Sequence, residues 1–541
     1  MLKKYILIPV ISAVFLLAFK AGDYFEISKN LDIFAEVYKE VNTTYVDEVK
    51  PGELIRSAID GMLKSLDPYT NFYSEAQAED YKFQVTGTYS GIGASIRRID
   101  NRVYIDSPLE GKPCQKAGLM AGDEIITIDG ISIKDKTKSE VHDLLTGQSG
   151  STISVEVDRL SVGRIKKELI RESIIQKNVP YHGIIDGIGF IKLVSFTPKA
   201  GKEVRDAVIA LKNQGAQKLV LDLRNNGGGL LNEAIDIVNV FVPRGQLIVE
   251  TRGKYPEDNR SFKTLNAPVD IEIPLVIVIN GNSASASEIV AGSLQDLDRA
   301  VLVGRNSFGK GLVQTTKGLS FNTSMKITTS KYYIPSGRLI QRLDYSNKIK
   351  GKALAVADSS KRIFKTKSGR EVIDGEGIHP DVKVEPVRIS ELSQSLIKNH
   401  LFFKYATIFR SKNDSINLPL EFNISDNLFD DFCDFIRDKD YDYVTRTEKD
   451  IERLESQATE DKYYEFLSTE LSNLKSAMDS IKMNDTKNHK LELKELLEQE
   501  IVRRYYYERG EIEVRFDDDA DWHISKEILS DLSIYNQHLT L

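Results

Sequence analysis

The stretch VIVINGNSASASEIVAG, residues 276–292, decides the fold because its two halves differ in period on either side of a turn of small residues. VIVI is a continuous apolar run typical of a buried strand, whereas SEIVAGSLQDL, beginning at Ser287, has helical spacing. A strand that turns directly into a helix is a building unit of α/β folds, whose chemistry lies where strands end. We therefore expect an α/β core with a functional site at this turn.

Flanking sequence repeats the same alternation. The strand-like runs IGFIKLVSF, KLVLDLR and AVLVG alternate with the helix-like KEVRDAVIALKNQ and GLLNEAIDIVNVF. Such alternation predicts crossover connections and a multidomain α/β protein whose core, built of ββα-type units, spans residues 171–384.

The turn in the opening stretch carries three serines, Ser283, Ser285 and Ser287. A nucleophilic serine is displayed at such a strand-to-helix turn in many hydrolases. Ser285 and Glu288 also fit a capping box, which would explain the pair without any chemistry. This stretch alone leaves both interpretations open.

A second junction, LVLDLRNNGGGLL, runs from a strand into three consecutive glycines, Gly227 to Gly229. A bare backbone at a helix start offers free N–H groups, which suit a phosphate or an oxyanion. The alternative is a tight turn without function, which would need one glycine rather than three.

Lys310 lies in GRNSFGKGLVQ, residues 304–314, whose spacing resembles a phosphate-binding loop. Gly311 stands where that loop needs serine or threonine, and the following residues look extended, so no nucleotide site is predicted. His182 and His379 flank the core at a distance in sequence. A lysine replaces histidine as a base where burial lowers its pKa from about 10.4, which makes Lys310 the candidate.

Residues 84–170 are rich in short β-runs. Two of its stretches, YSGIGASI and KAGLMAGDEIITIDG, resemble the motifs of a PDZ domain, and the helix-like SEVHDLLTG interrupts the β-runs after them. A PDZ fold adds an extended peptide to a sheet edge, and loop N–H groups hold its terminal carboxylate. The candidate loop residues are Gly91, Ile92, Gly93 and Ala94. Their alternative is an ordinary turn between strands.

Taken together, NSASASEI, FGKGLVQ, LRNNGGG, YYIPSGRLIQ and GMLKSLDPYTNFY resemble the carboxy-terminal processing peptidases, or tail-specific proteases, over roughly residues 30–384. The resemblance implies a serine endopeptidase with a Ser/Lys dyad and no metal or organic cofactor. Its substrates would be proteins with free, apolar C-termini. The implied site consists of the nucleophile Ser285, the general base Lys310, the lysine-positioning Gln314, the oxyanion amides of Gly228 and Ala286, and the supporting Glu288 and Asp296. Ser307 stands where the family usually has threonine.

The two ends of the chain differ from the core. Lys3 and Lys4 precede an uncharged run to Phe19, which predicts an export signal over residues 1–22 and a periplasmic or cell-envelope location. Cleavage, membrane anchoring and homo-oligomer formation stay open. Residues 23–83 have helical spacing. Residues 385–541 are densely charged with helical spacing, which predicts a solvated helical extension, with assembly or guarding of the active site as alternatives.

Composition limits the function classes. With 541 residues, 41% apolar residues, 28% charged residues and a net charge of −7, the chain is a multidomain globular protein without a basic field for nucleic acid. Cys114 and Cys433 lie far apart, so no disulfide framework is predicted. The serine–x–x–lysine pair at Ser395 to Lys398 resembles a motif of penicillin-binding enzymes. The other motifs of those enzymes are absent from the sequence, so no active site is predicted there. The remaining alternative to the peptidase is a non-catalytic PDZ scaffold that binds tails.

Overall fold

A computed structural model describes the protein over residues 3–75, 77, 86–349 and 351–540, with side chains from residue 24. The chain divides into two compact units. The smaller unit comprises residues 1–78, 314–329 and 345–353, and the larger unit comprises the rest of the chain.

The smaller unit begins with two helices, α1 (Lys3–Thr44) and α2 (Pro51–Lys64), followed by strand β1 (Asn71–Tyr73). The predicted helical segment is therefore confirmed as far as α2, and a strand follows its Asp67-Pro68 break. No helix within the described residues is long and apolar enough to cross a membrane. The side chains of the predicted export signal lie outside the described residues.

The PDZ-like part of the larger unit consists of a six-stranded antiparallel sheet, a separate pair formed by its first and last strands, and two helices. Its elements are β2 (Thr88–Gly91), β3 (Ala94–Ile99), β4 (Arg102–Pro108), α3 (Pro113–Lys116), β5 (Glu124–Ile128), β6 (Ile131–Ser132), α4 (Lys138–Leu145), β7 (Thr152–Arg159), β8 (Gly163–Ile170) and β9 (Glu172–Ile175). The strand order is β3-β4-β5-β7-β8, so β3 lies at an edge. Thr137 caps α4 by accepting a hydrogen bond from the Glu140 N–H.

The peptidase-like part contains the predicted strand and helix alternation. Its elements are β10 (Tyr181–Ile185), β11 (Ile188–Lys192), α5 (Ala200–Asn213), β12 (Leu219–Asp222), α6 (Leu231–Phe241), β13 (Leu247–Gly253), β14 (Arg260–Lys263), β15 (Leu275–Ile279), α7 (Ala286–Asp296), β16 (Val301–Gly304), β17 (Leu312–Gly318), β18 (Ser324–Tyr333), β19 (Leu343–Ile349), β20 (Lys352–Ala355), β21 (Ile363–Lys365), β22 (Glu371–Ile373) and β23 (Val382–Lys383). The α/β prediction is thus confirmed.

The central sheet has the order β10-β11-β12-β15-β16-β23, antiparallel at the first pair and parallel thereafter. Helices α5, α6 and α7 pack on one face, where their apolar residues join the main core. The strands read as unbroken apolar runs because side chains are buried on both faces of the sheet. The parallel strands therefore bring the glycine turn after β12, the serine turn after β15 and the lysine loop after β16 to one edge.

The predicted helical extension is confirmed over its described residues, 385–540, which form α8 (Glu391–Lys398), α9 (Leu401–Lys412), α10 (Asp426–Ile436), α11 (Arg446–Glu460), α12 (Tyr464–Lys482), α13 (Asp485–Asn488), α14 (Lys490–Glu513), α15 (Ala520–Ser530) and α16 (Leu532–Leu539). The predicted solvated face describes α11 and α12, which are mostly exposed.

The last two helices depart from that description because they cover the second face of the central sheet. Trp522 and Leu529 of α15, together with Tyr535 of α16, share a buried cluster with Val276 and Val301 of the sheet. This apolar packing makes the C-terminal helices part of the peptidase core rather than a solvated addition to it.

Replacing Trp522 with alanine should lower the free energy of unfolding by about 3–5 kcal/mol, because a large cavity replaces a buried aromatic side chain. Trp522 is 2% exposed, and its ring centroid lies 5.8 Å from that of Phe190 and 5.0 Å from that of Phe516. Urea unfolding should be followed by circular dichroism, since Trp522 is the only tryptophan in the chain.

The matched control is Phe466→Ala on α12, where the side chain is 79% exposed and the expected change is within about 0.5 kcal/mol. Equal stability of the Trp522→Ala protein and wild type would contradict the place of α15 in the core.

Candidate active site

Ser285 is the residue that joins strand β15 to helix α7. It precedes the first helical residue and has φ 56° and ψ −113°, a conformation that costs a non-glycine residue about 1–3 kcal/mol. Such a strained turn displays a side chain above the end of a sheet, as in the strand-to-helix elbows of serine hydrolases. The backbone strain is thus concentrated at the serine that the family motif marks.

The three serines of this turn have different surroundings. The Ser283 hydroxyl donates to the Leu223 carbonyl at 2.8 Å, and the Ser287 hydroxyl donates to the Asn226 carbonyl at 2.8 Å, and both serines are fully buried. Ser285 is partly exposed, and the Glu288 N–H donates to the Ser285 backbone carbonyl at 2.8 Å rather than to its hydroxyl. The hydroxyls of Ser283 and Ser287 therefore hold the turn, and the assignment of Ser285 as the nucleophile stays a prediction.

Glu288 connects the serine turn to the lysine loop through one buried carboxylate. Its Oε2 accepts hydrogen bonds from the Ser285 N–H at 2.7 Å and the Lys310 N–H at 2.9 Å. Its Oε1 accepts from the Gly309 N–H at 2.7 Å and from the Ser307 hydroxyl at 2.5 Å. Glu288 therefore caps helix α7 through the Ser285 N–H and binds the lysine loop through the other three bonds, while its supporting role in catalysis stays a prediction.

Burial raises the pKa of Glu288 to about 7, although its four hydrogen bonds favour the charged form. The side chain is fully buried, so the loss of hydration outweighs the donors. A carboxyl group that binds both catalytic loops therefore titrates near neutral pH.

Tyr332 joins the same two residues from the carbonyl side. Its hydroxyl lies within hydrogen-bond distance of two carbonyl oxygens, that of Ser285 at 3.2 Å and that of Lys310, which share its one hydrogen. Ser285 and Lys310 are thus linked through their N–H groups by Glu288 and through their carbonyls by Tyr332. The sequence analysis assigns no role to Tyr332. Its position in the motif YYIPSGRLIQ, with an aromatic hydroxyl, is the sequence feature that could have indicated one.

The glycine turn lies against the serine turn. A Cβ atom on Gly228 would lie 2.9 Å from the Ser285 Cβ and 2.9 Å from the Ala286 nitrogen, so only glycine fits. Ala286 opens α7, and its N–H has no partner within the helix. The Gly228 N–H donates to the Asn226 side-chain oxygen at 3.0 Å. An oxyanion site built from Gly228 and Ala286 therefore requires Gly228 to exchange that oxygen for the substrate oxygen.

Asp296 lies at the far end of α7, about 15 Å along the helix from Ser285. It forms a fully buried ion pair with Arg338 at 2.8 Å, and burial raises its pKa. The loop that carries Arg338 also carries Gln341, whose side-chain oxygen accepts from the Gly311 N–H at 2.8 Å. Asp296 is thus connected to the lysine loop only through the loop that carries Arg338 and Gln341. It lies away from the serine turn.

Gln314 belongs to the smaller unit. Its side-chain amide donates to the Thr328 hydroxyl at 3.2 Å, and the Thr328 N–H donates to the Thr70 hydroxyl at 3.2 Å. Thr70 lies in the motif GMLKSLDPYTNFY and Gln314 lies in the motif FGKGLVQ, so Thr328 connects these two motifs. The effect of Gln314 on Lys310 stays a prediction.

The PDZ-like loop has its carbonyls bonded. Ile92 accepts from the Cys114 N–H at 2.8 Å, and Gly93 accepts from the Leu109 N–H at 2.9 Å. The N–H groups of Ile92 and Gly93 donate to none of the residues that the structure describes. Gly93 has φ 71°, which favours glycine, and Ala94 begins the edge strand β3. Gly91, the last residue of β2, completes the loop.

The other candidates from the sequence, two histidines and a serine–x–x–lysine pair, are exposed or contact residues outside the serine turn and the lysine loop. His182 is exposed on β10, and the His379 ring nitrogen lies 2.8 Å from a Glu376 carboxylate oxygen. Ser395 of the serine–x–x–lysine pair donates to the Tyr441 carbonyl at 2.7 Å, while Lys398 is exposed. Lys310 is partly buried and leads into a strand rather than the helix that a phosphate loop needs.

Comparison with known proteins gives four matching family models. They are "Peptidase family S41" over residues 187–350, "PDZ domain" over 90–168, "Probable PDZ-protease, C-terminal helical domain" over 392–529 and "Activating protease CtpB N-terminal domain" over 19–77. The resemblance to a PDZ domain is thereby confirmed.

Two relatives and one solved structure illustrate the similarity. The carboxy-terminal-processing protease of Bartonella bacilliformis is 38% identical over 319 residues, covering 58% of this chain and 73% of the relative. The carboxy-terminal processing protease CtpA of Bacillus subtilis is 32% identical over 322 residues, covering 59% and 68% respectively. The photosystem II D1 C-terminal processing protease is 25% identical, with coverage of 65% and 92% and a TM-score of 0.36.

Glu288→Gln should differ from wild type in a pH-dependent way. The folded-state pKa of about 7 lies above the ordinary value of 4.5, so stability from this proton is full below about pH 4.5 and is lost as pH rises through 7. Between about pH 4 and pH 8 the free energy of unfolding of wild type should fall relative to the glutamine variant by on the order of 3 kcal/mol. Urea unfolding across this range measures the difference.

The matched control is Glu470→Gln on the exposed surface of α12, which should track wild type at every pH. A constant offset between wild type and the Glu288→Gln protein would contradict the raised pKa.

Proposed function

Because the chain belongs to the carboxy-terminal-processing protease family, we propose that it is an exported serine endopeptidase that recognises the C-terminal tails of proteins through its PDZ domain and cleaves them with a Ser285/Lys310 dyad. The observation that carries the proposal is the pairing of Ser285 with Lys310 on one carboxylate oxygen of Glu288, at 2.7 Å and 2.9 Å. That pairing joins the backbone N–H groups of the two residues, so a serine and a lysine from separate motifs lie at one edge of the sheet.

The proposed chemistry is acyl transfer. The Ser285 oxygen attacks a peptide carbonyl while the neutral Lys310 amine takes its proton, forming a tetrahedral oxyanion. The C–N bond then breaks, the lysine returns the proton to the leaving amine, and the C-terminal fragment departs. Water, deprotonated by the same lysine, hydrolyses the ester and frees the serine.

The surroundings of the dyad support this sequence of steps. The oxyanion would be held by the N–H groups of Ala286 and Gly228, the second released from Asn226 when substrate enters. Glu288 and Tyr332 fix the backbones of both dyad residues, so little reorganisation is needed during proton transfer. Gln314 would orient the amine.

Tail recognition is proposed for the edge of the PDZ domain. Strand β3 lies at the edge of its sheet, and the preceding loop presents the N–H groups of Ile92 and Gly93. An extended tail added along β3 would place its terminal carboxylate at that loop. Export to the cell envelope is supported by Lys3, Lys4 and the uncharged run that follows, and cell fractionation tests it.

Substitution of the dyad tests the chemistry. Ser285→Ala and Lys310→Arg should each abolish cleavage of an unstructured protein with an apolar tail, because one lacks the nucleophile and the other keeps its proton at every accessible pH. Ser283→Ala and Ser287→Ala are the comparison variants and should retain some cleavage, because each loses a hydrogen bond of the turn but not the nucleophile. Mass spectrometry of the fragments is the measurement. Cleavage at the wild-type rate by folded Ser285→Ala or Lys310→Arg protein would disprove the dyad.

Amidation of the substrate tests tail recognition separately. Binding of a tail peptide with a free carboxylate should be at least tenfold tighter than binding of the same peptide amidated, as measured by fluorescence anisotropy with Ser285→Ala protein. The amide lacks the charge that the loop N–H groups would stabilise. Equal affinities would remove carboxylate recognition, and tail binding by a wild-type protein that never cleaves would favour the scaffold alternative.

A further inference from the structure

The N-terminal end of helix α15 holds two catalytic loops with carboxylates that none of the sequence motifs includes. We propose that Asp521, assisted by Asp519, is a positioning residue that aligns the glycine turn and the lysine loop for acylation. The proposal rests on the proposed peptidase function and adds a role for the C-terminal helices to it.

Asp521 binds two arginines through one oxygen. Its Oδ2 accepts from Arg224 at 2.9 Å and from Arg305 at 2.8 Å. Asp519 takes Arg224 in a bidentate pair at 2.8 Å and 2.6 Å. Bidentate pairs between arginine and carboxylate fix geometry as well as charge. The guanidinium of Arg224 also bonds Asp222 at the end of β12, so it is held on several sides.

The two arginines start the two loops that flank the nucleophile. Arg224 follows β12 and leads into the glycine turn, while Arg305 follows β16 and leads into the lysine loop. Strand β15, which carries the serine turn, lies between β12 and β16 in the sheet. Asp521 therefore spans the serine turn and connects the loop with the proposed oxyanion amide to the loop with the proposed base.

Side-chain packing makes the carboxylate a fixed support. The Asp521 side chain is 3% exposed, and the adjacent Trp522 anchors α15 in the apolar cluster on the sheet. Asp519 caps the same helix by accepting from the N–H groups of Asp521 and Trp522 at 3.0 Å and 3.2 Å. A position set by core packing is transmitted in this way to both arginines.

An ion pair that only held the helix in place would predict a different outcome. Removing a buried partner would then lower stability, and the rate of chemistry in the folded molecules would not change. A positioning role predicts slower acylation in protein that is still folded, since a displacement of about 1 Å costs up to about 100-fold in rate.

The test uses full-length protein and a p-nitrophenyl ester of a short acyl amino acid, a substrate too small to need the PDZ domain. Asp521→Asn should slow the acylation burst by about 10- to 100-fold and leave the affinity for a tail peptide unchanged. Asp517→Asn is the matched control, because Asp517 is an exposed carboxylate shortly before α15, and it should keep the wild-type burst.

Arg305 gives a second, milder series. Arg305→Gln removes one end of the connection at a partly exposed side chain and should slow the burst, while Arg305→Lys keeps a cation for Asp521 and should restore most of it. If Asp521→Asn does not fold, this series decides. A wild-type burst from folded Asp521→Asn or Arg305→Gln protein would overturn the proposal, as would an equal loss in Asp517→Asn.

Failure of the peptidase proposal has its own signature. If the peptidase proposal is wrong, wild-type protein will give no acylation burst that depends on Ser285. If only the positioning role is wrong, the burst will be normal in wild-type protein and in the Asp521→Asn and Arg305→Gln variants.

Discussion

The buried carboxylate of Glu288 is the interaction on which the packing of the serine turn against the lysine loop depends. Four donors from two loops converge on it, and each would be left without an acceptor in an apolar interior if the carboxylate were absent. Burying such a group costs free energy that only complete pairing offsets. The serine turn and the lysine loop can therefore pack together in one way, with the backbones of Ser285 and Lys310 facing the same oxygen.

Around this interaction the sheet supplies the rigid frame. Parallel strands deliver three loops to one edge, and the helices on both faces keep the strands dry. The backbone strain at Ser285 persists because the neighbouring Ser283 and Ser287 are hydrogen-bonded to buried carbonyls of the glycine-turn region. Two ordinary serines thus stabilise the geometry of the unusual one.

Local sequence predicted the elements that depend on local rules. The period change in residues 276–292, the glycines after β12 and the apolar strands all follow from propensity and pattern, and the structure contains each of them. The hydrogen bonds from Arg224 and Arg305 to Asp521 could not be predicted, because these partners lie far away from Asp521 in the sequence. The packing of α15 in the core was not predicted either, because the high charge of residues 385–541 indicated a solvated face. The few large apolar residues of α15, such as Trp522, are surrounded in the sequence by acidic ones.

The position of α15 also bears on biosynthesis. Its residues leave the ribosome about 240 residues after Ser285, a delay of roughly 10 to 50 s at about 5–20 residues per second. Throughout that interval the second face of the central sheet has no cover, and the two arginines have no carboxylate from α15. The nascent chain therefore carries all the motifs of residues 30–384 before the central sheet has the packing that completes its core.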